Sequence, residues 1–200
     1  MQISVKADVK NVQRQLNRIQ KRQIPFATSL ALNRTADKAK DDLYGRMKRY
    51  FQKPTKQVLN QSLRTQYSKK TNLRSQVYAV PWADEFLQYQ AYGGTERKKK
   101  NRLVAPVDRA NLNAYGNIKG KRNNLIKSGM YFAKTKSGKD AVWRKRGRGK
   151  NAKPRLQYVF KDSMQYRRIW PYERVAERSV ARYFPKFMIR ALNKALATAR

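Results

Sequence analysis

Apolar residues along this chain recur first at a helical period, then at a strand period, then at a helical period again. Ile3, Val5 and Ala7 alternate with polar neighbours, which predicts a short strand. Asp8 can cap a helix starting just beyond it. Val9, Val12, Leu16 and Ile19 then recur at helical spacing, a narrow stripe suited to core or subunit packing. The residue before a proline avoids the α region, so Ile24-Pro25 predicts a break in that helix. A longer helix runs from near Phe26 to about Phe51, with Leu32, Ala36, Ala39, Leu43, Met47 and Tyr50 as its stripe. Gly45 within it costs about 1 kcal/mol of helix propensity, a cost that a close contact there would explain. Pro54 suits the first position of another short helix, with Val58, Leu59, Leu63 and Tyr67 turned inward.

The period changes after Ser68-Lys69-Lys70-Thr71-Asn72. Leu73, Ser75, Val77 and Ala79 alternate with their neighbours, and Pro81 ends that strand. Residues 85–92 fit a strand or a helix, closed by Gly93-Gly94, and Arg97-Lys98-Lys99-Lys100 reads as a charged loop. Leu103 to Val107 is extended, whereas 108–128 show no period and read as a mobile loop or insertion. Met130 to Ala133, a turn at 136–139 and Ala141 to Trp143 predict a hairpin. A basic tract from Arg144 to Lys150 and a strand from Leu156 to Phe160 come next. From about Tyr172 the helical period returns, carried by Ala176, Val180, Tyr183, Phe187 and Ala191, with Pro185 expected to kink or restart the helix. The expected fold class is α+β. Long N-terminal helices pack on a small antiparallel sheet, with a basic loop insertion and a C-terminal helix, in a single domain over 1–200 with the insertion at about 108–155.

Composition sharpens this picture. A net charge of +36 on 200 residues makes a compact fold repel itself, so it calls for something negative alongside. Three Trp, twelve Tyr and seven Phe supply a real core and argue against wholesale disorder. No apolar run approaches a membrane span, and the N-terminus lacks a signal-peptide stretch, so neither a membrane partner nor export is expected. The absence of Cys and His removes thiolate and imidazole metal sites, Cys nucleophiles and His bases. No cofactor, metal or catalytic residue is expected.

The densest charge lies at 134–155, with ten basic residues against one acid. Arg144, Lys145, Arg146, Arg148, Lys150, Lys153 and Arg155, joined by Arg97, Lys98, Lys99 and Lys100, are the expected contacts to nucleic acid or to an acidic partner. A Gly-punctuated loop can follow a phosphate backbone without fixed geometry. The same tract would also serve as a solvated loop lying on acidic protein, and the residue types do not separate the two. Tyr131, Phe132, Trp143 and Tyr158 suit stacking on bases, although their strand spacing fits core packing better. Val9, Val12, Leu16, Ile19, Tyr183 and Phe187 are the expected subunit or core packing residues. Asp41-Asp42 is a poor start for a metal nuclease, because helical neighbours diverge by about 100°. Pairing with Lys38 or Arg46 explains both acids better.

The order of parts resembles a known family. A first helix leads through Ile24-Pro25-Phe26-Ala27 into "TSLALNRTADKAK". The strand "NLRSQVYAV", a Gly- and Arg/Lys-rich middle and the tail "YFPKFMIRALNKALATAR" come after it. This is similar to the minor tail protein Z family of tailed bacteriophages, the tail-completion proteins, over nearly the whole chain. "FLQYQAYGGTERKKKNRLVAPV" also resembles the wider neck and tail-completion superfamily. The resemblance implies a non-enzymatic virion protein at the head-proximal end of the tail, assembled in the host cytoplasm. It implies a homo-oligomeric ring, with a hexamer expected, beside tail terminator and head–tail connector proteins and around genomic DNA. A free, sequence-nonspecific nucleic-acid-binding protein of ribosomal or chromatin type is the alternative.

Overall fold

The computed structural model describes residues 1–6, 18–97, 103–107, 112–118, 129–147 and 152–197. The chain forms an α+β fold that divides into two compact units, one built from Met1–Tyr92 with Arg168–Arg200 and the other from Gly93–Arg167.

In the first unit, β1 (Gln2–Lys6), β2 (Leu63–Gln66) and β3 (Arg74–Ala79) form an antiparallel sheet in the order β1-β3-β2. Its register sets Ile3 opposite Val77 and Leu63 opposite Ala79. The alternation expected along β3 is present, with Ser75, Val77 and Ala79 buried. Helix α1 (Arg18–Tyr50) covers the sheet, and the stripe from Leu32 to Met47 is buried as expected. Short helix α2 (Lys56–Gln61) and helix α3 (Pro81–Tyr92) flank it, so the ambiguous 85–92 segment is helical. Pro81 occupies the first position of α3, where a missing N–H costs nothing. Leu43, Met47, Leu63, Val77, Leu87 and Trp170 share one core, in which Phe51 meets Trp170 edge-on at 5.7 Å.

Helix α4 (Tyr172–Ala197) lies against a second face of α1. Ala27 and Ala31 meet Ala191 and Ala195 at one end, and Asp42 meets Ser179 at the other, so the helices run antiparallel. Methyl-sized side chains at the first contact let the backbones approach closely. Burying two faces explains why α1 is less cleanly amphipathic than its stripe suggests.

Several expectations are corrected. The break at Ile24-Pro25 does not occur, because α1 runs through Pro25, just as α4 runs through Pro185. An interior proline costs about 3 kcal/mol, which the neighbouring alanine contact helps offset. Val9, Val12 and Leu16 lie outside the described residues, as does the side chain of Ile19. Thr55, not Pro54, starts α2, its hydroxyl accepting from the Val58 N–H at 3.2 Å. Leu63 and Tyr67 do not continue that helix. Leu63 opens β2, while Tyr67 comes just after its end and is exposed. Polar side chains on α1 hold that strand and the residues around it. Tyr44 accepts from the Leu63 N–H at 2.8 Å and donates to its carbonyl at 3.1 Å. Asp37 accepts from Thr65 at 3.2 Å, and Asn33 accepts from the Ser68 N–H and the Ser75 hydroxyl at 2.7 and 2.8 Å.

The second unit holds a four-stranded antiparallel sheet of order β5-β8-β7-β6. Its strands are β5 (Leu103–Pro106), β6 (Met130–Lys134), β7 (Asp140–Arg146) and β8 (Lys153–Lys161). Strands β4 (Gly94–Arg97) and β9 (Ser163–Tyr166) pair separately, with Tyr166 donating to Glu96 at 2.9 Å. The expected hairpin is β6–β7. The core here is small: Met130, Val142 and Tyr158, with Val104, Ile118 and Phe160 packed against them. Residues 112–118, within the segment read as a loose loop, close a tight turn around Asn113, whose side-chain oxygen accepts from Tyr115 and Asn117 N–H groups at 2.9 and 3.0 Å. Among the described residues no helix is long and apolar enough to cross a membrane.

Candidate functional site

The basic tract is not a loop where it can be described. Arg144, Lys145 and Arg146 complete β7, and the ladder sets them opposite Arg155, Pro154 and Lys153. A register shift between Val142 and Trp143 leaves Gln157 as the extra residue on β8. Such a bulge strengthens the local twist and marks where the ribbon leaves the core. Val142 and Tyr158 are buried on one side of it, whereas Arg144, Lys145, Arg146, Lys153 and Arg155 beyond it are all exposed. Directly opposed residues share a face, so Arg144 with Arg155 and Arg146 with Lys153 make a quartet of cations on one face. Like charges directly opposite destabilise a ladder. Arg144, Lys145, Arg146 and Lys153 have no acidic partner among the described residues. The ribbon keeps an unfavourable arrangement that a polyanion would relieve.

Arg97 sits apart from the quartet, as the exposed last residue of β4 on the two-stranded sheet. Lys98, Lys99, Lys100, Arg148 and Lys150 lie outside the described residues. Two of the nearby aromatics are committed: Tyr158 is buried, and the Trp143 indole donates to the Ala133 carbonyl at 3.1 Å. Phe132 lies 5.9 Å from Phe160 but stays exposed. Tyr131 remains partly exposed on edge strand β6.

A second basic surface, which sequence reasoning missed, lies in the first unit. A cleft of about 510 Å³ opens between α1 and α4. Arg46 and Arg49 line it from α1, and Arg174, Arg178 and Arg182 from α4. None of the five is in an ion pair among the described residues. The Arg182 guanidinium lies over the Tyr183 ring at 5.4 Å, and Lys38 covers the same ring at 5.4 Å. Tyr183 in turn stacks on Phe187 at 6.0 Å, so both expected packing residues pack within this unit.

Both members of the Asp41-Asp42 pair border the cleft. Asp42 is engaged by Lys38 at 3.1 Å and by the Ser179 hydroxyl at 2.7 Å. The hydrogen bond to Asp42 raises the Lys38 ammonium above its ordinary value. The expected Lys38 pairing is therefore made, while Asp41 has no cationic partner among the described residues. No three His, Cys, Asp or Glu side chains converge as a metal ion would need, among the described residues. Gly45 also faces this space, and an added Cβ would meet nothing within 4 Å, so no close contact explains it.

No protein-family model, curated protein or solved structure matches this chain. The two basic surfaces and the sequence resemblance therefore carry what can be said of function.

Proposed function

We propose that this chain is a structural, non-enzymatic virion protein of a tailed phage. It completes the head-proximal end of the tail and helps form the DNA channel at the head–tail joint. Assembly takes place in the host cytoplasm, as a homo-oligomeric ring, with six copies favoured, between tail terminator and head–tail connector proteins. The resemblance supplies the setting. The observation that carries the DNA role is the cation quartet of Arg144, Arg146, Lys153 and Arg155, in which like charges are held opposite one another on an exposed ribbon. Phosphates of DNA in the channel supply counter-charge to Arg144, Arg146 and Lys153, which have no acidic partner among the described residues. Contacts of this kind position a backbone without reading sequence.

The test is charge reversal of Arg144, Lys145 and Arg146 to Glu in assembled particles. Particles are expected to form but to release their DNA. Unchanged retention removes the DNA role. The free nucleic-acid-binding alternative wins if the purified chain stays monomeric with tail proteins present and binds DNA with log K falling steeply in log salt.

A further inference from the structure

We propose that the cleft between α1 and α4 is a binding site for nucleotide phosphates, held by Arg46, Arg49, Arg174, Arg178 and Arg182. The site is concave, and its volume of about 510 Å³ suits a nucleotide, free or as one segment of a single strand. Arg174, Arg178 and Arg182 stand one helical turn apart, a row about 12 Å long at 1.5 Å per residue. Such a row can engage successive phosphates. Arg46 and Arg49, also about a turn apart, face it from the other helix.

Every cation in the lining is Arg, whose planar fork takes a phosphate through two parallel hydrogen bonds. All five lack an acidic partner among the described residues, so their charge is not already neutralised. Asp42 does not neutralise them, because Lys38 and Ser179 occupy its two oxygens. At the rim the exposed Tyr50 offers a ring face on which a base can stack. Asp41 alone opposes an anion. It would tune affinity downward and favour ligands with several phosphates over a single one.

The proposal concerns the isolated chain and does not rest on a phage setting, so either can fail without the other. Fluorescence anisotropy of a labelled tetrathymidylate with the purified full chain tests it. Arg174→Lys with Arg178→Lys keeps the net charge and exposed positions but removes the forks. It is expected to weaken binding about tenfold, with the circular dichroism spectrum unchanged. Arg64→Lys with Arg190→Lys, at exposed positions outside both basic surfaces, is the control, expected to change it less than about twofold. Asp41→Asn is expected to strengthen binding. Tripolyphosphate should displace the label and oligoglutamate should not. Thymidine triphosphate binding as tightly as the tetranucleotide identifies a free nucleotide, while affinity rising with strand length identifies a strand. Equal losses from the cleft and control pairs, or displacement by oligoglutamate as readily as by tripolyphosphate, overturns the proposal. The second of those outcomes points to an acidic protein instead.

Discussion

The first unit closes over a core in which Leu43, Met47, Leu87 and Trp170 are fully or almost fully buried, and two long helices carry its arginines. The second unit wraps its sheet around Met130, Val142 and Tyr158 and carries its cations on a ribbon past the last buried residue. Both are strongly basic, yet the charge is supported differently. In the first, side chains stand on helices whose other faces are packed, so repulsion acts on a rigid frame. In the second, ladder hydrogen bonds alone hold opposed cations together. The first arrangement suits a shaped ligand, and the second suits a polyanion without fixed geometry.

The sharpest way to break this comparison is through the cores. Trp170→Ala is expected to cost about 3–5 kcal/mol in urea unfolding, because it empties the centre of the larger core. Val142→Ala is expected to cost about 2 kcal/mol. Hydrogen exchange should show its loss of protection confined to 93–167. Equal loss across both segments would show that the two cores are not separate supports.

Alkaline pH probes the first unit through Tyr172. Burial, and after it the hydrogen bond with Tyr92, pushes the Tyr172 phenol well above its ordinary value near 10. A phenol whose folded value is raised favours the native state below its unfolded value. That stability drains away as pH climbs past about 10. Wild type should lose stability over that range, and Tyr172→Phe should lose less across the same interval, read by denaturant midpoints at each pH. A wild-type curve flat above pH 10 would contradict the raised Tyr172 phenol.

The smallest expected effect has the opposite sign. Gly45 is helical and exposed, and a Cβ there meets nothing, so Gly45→Ala should stabilise by about 0.5–1 kcal/mol. A destabilised variant would mean that the cleft leaves no room for the added methyl.

Long-period features of the fold were readable from sequence alone. The stripe from Leu32 to Met47 and the alternation from Ser75 to Ala79 each bury one side against the same core, so burial wrote them into the sequence. Strand β2 was not readable. Leu63 and Tyr67 fit helical spacing, and the groups that hold the strand, Asp37 and Tyr44, belong to a distant helix. Pro25 misled because local preference for a break yielded to packing around it. Arg144 to Arg146 looked like a loop because their ladder partners lie beyond a glycine-rich tract. The arginine cleft left one sign, the four-residue spacing of Arg174, Arg178 and Arg182. On a single chain that spacing reads as an ordinary solvated face. Only the antiparallel pairing of α1 and α4 brings Arg46 and Arg49 across from it.

The alanine contact between those two helices fixes how closely they approach at the end away from the cleft. Ala31 lies fourteen residues from Gly45, about 21 Å along α1 at 1.5 Å per residue. A leucine at Ala31 would push the helices apart there, altering the span between the two arginine rows without touching any residue that lines the cleft.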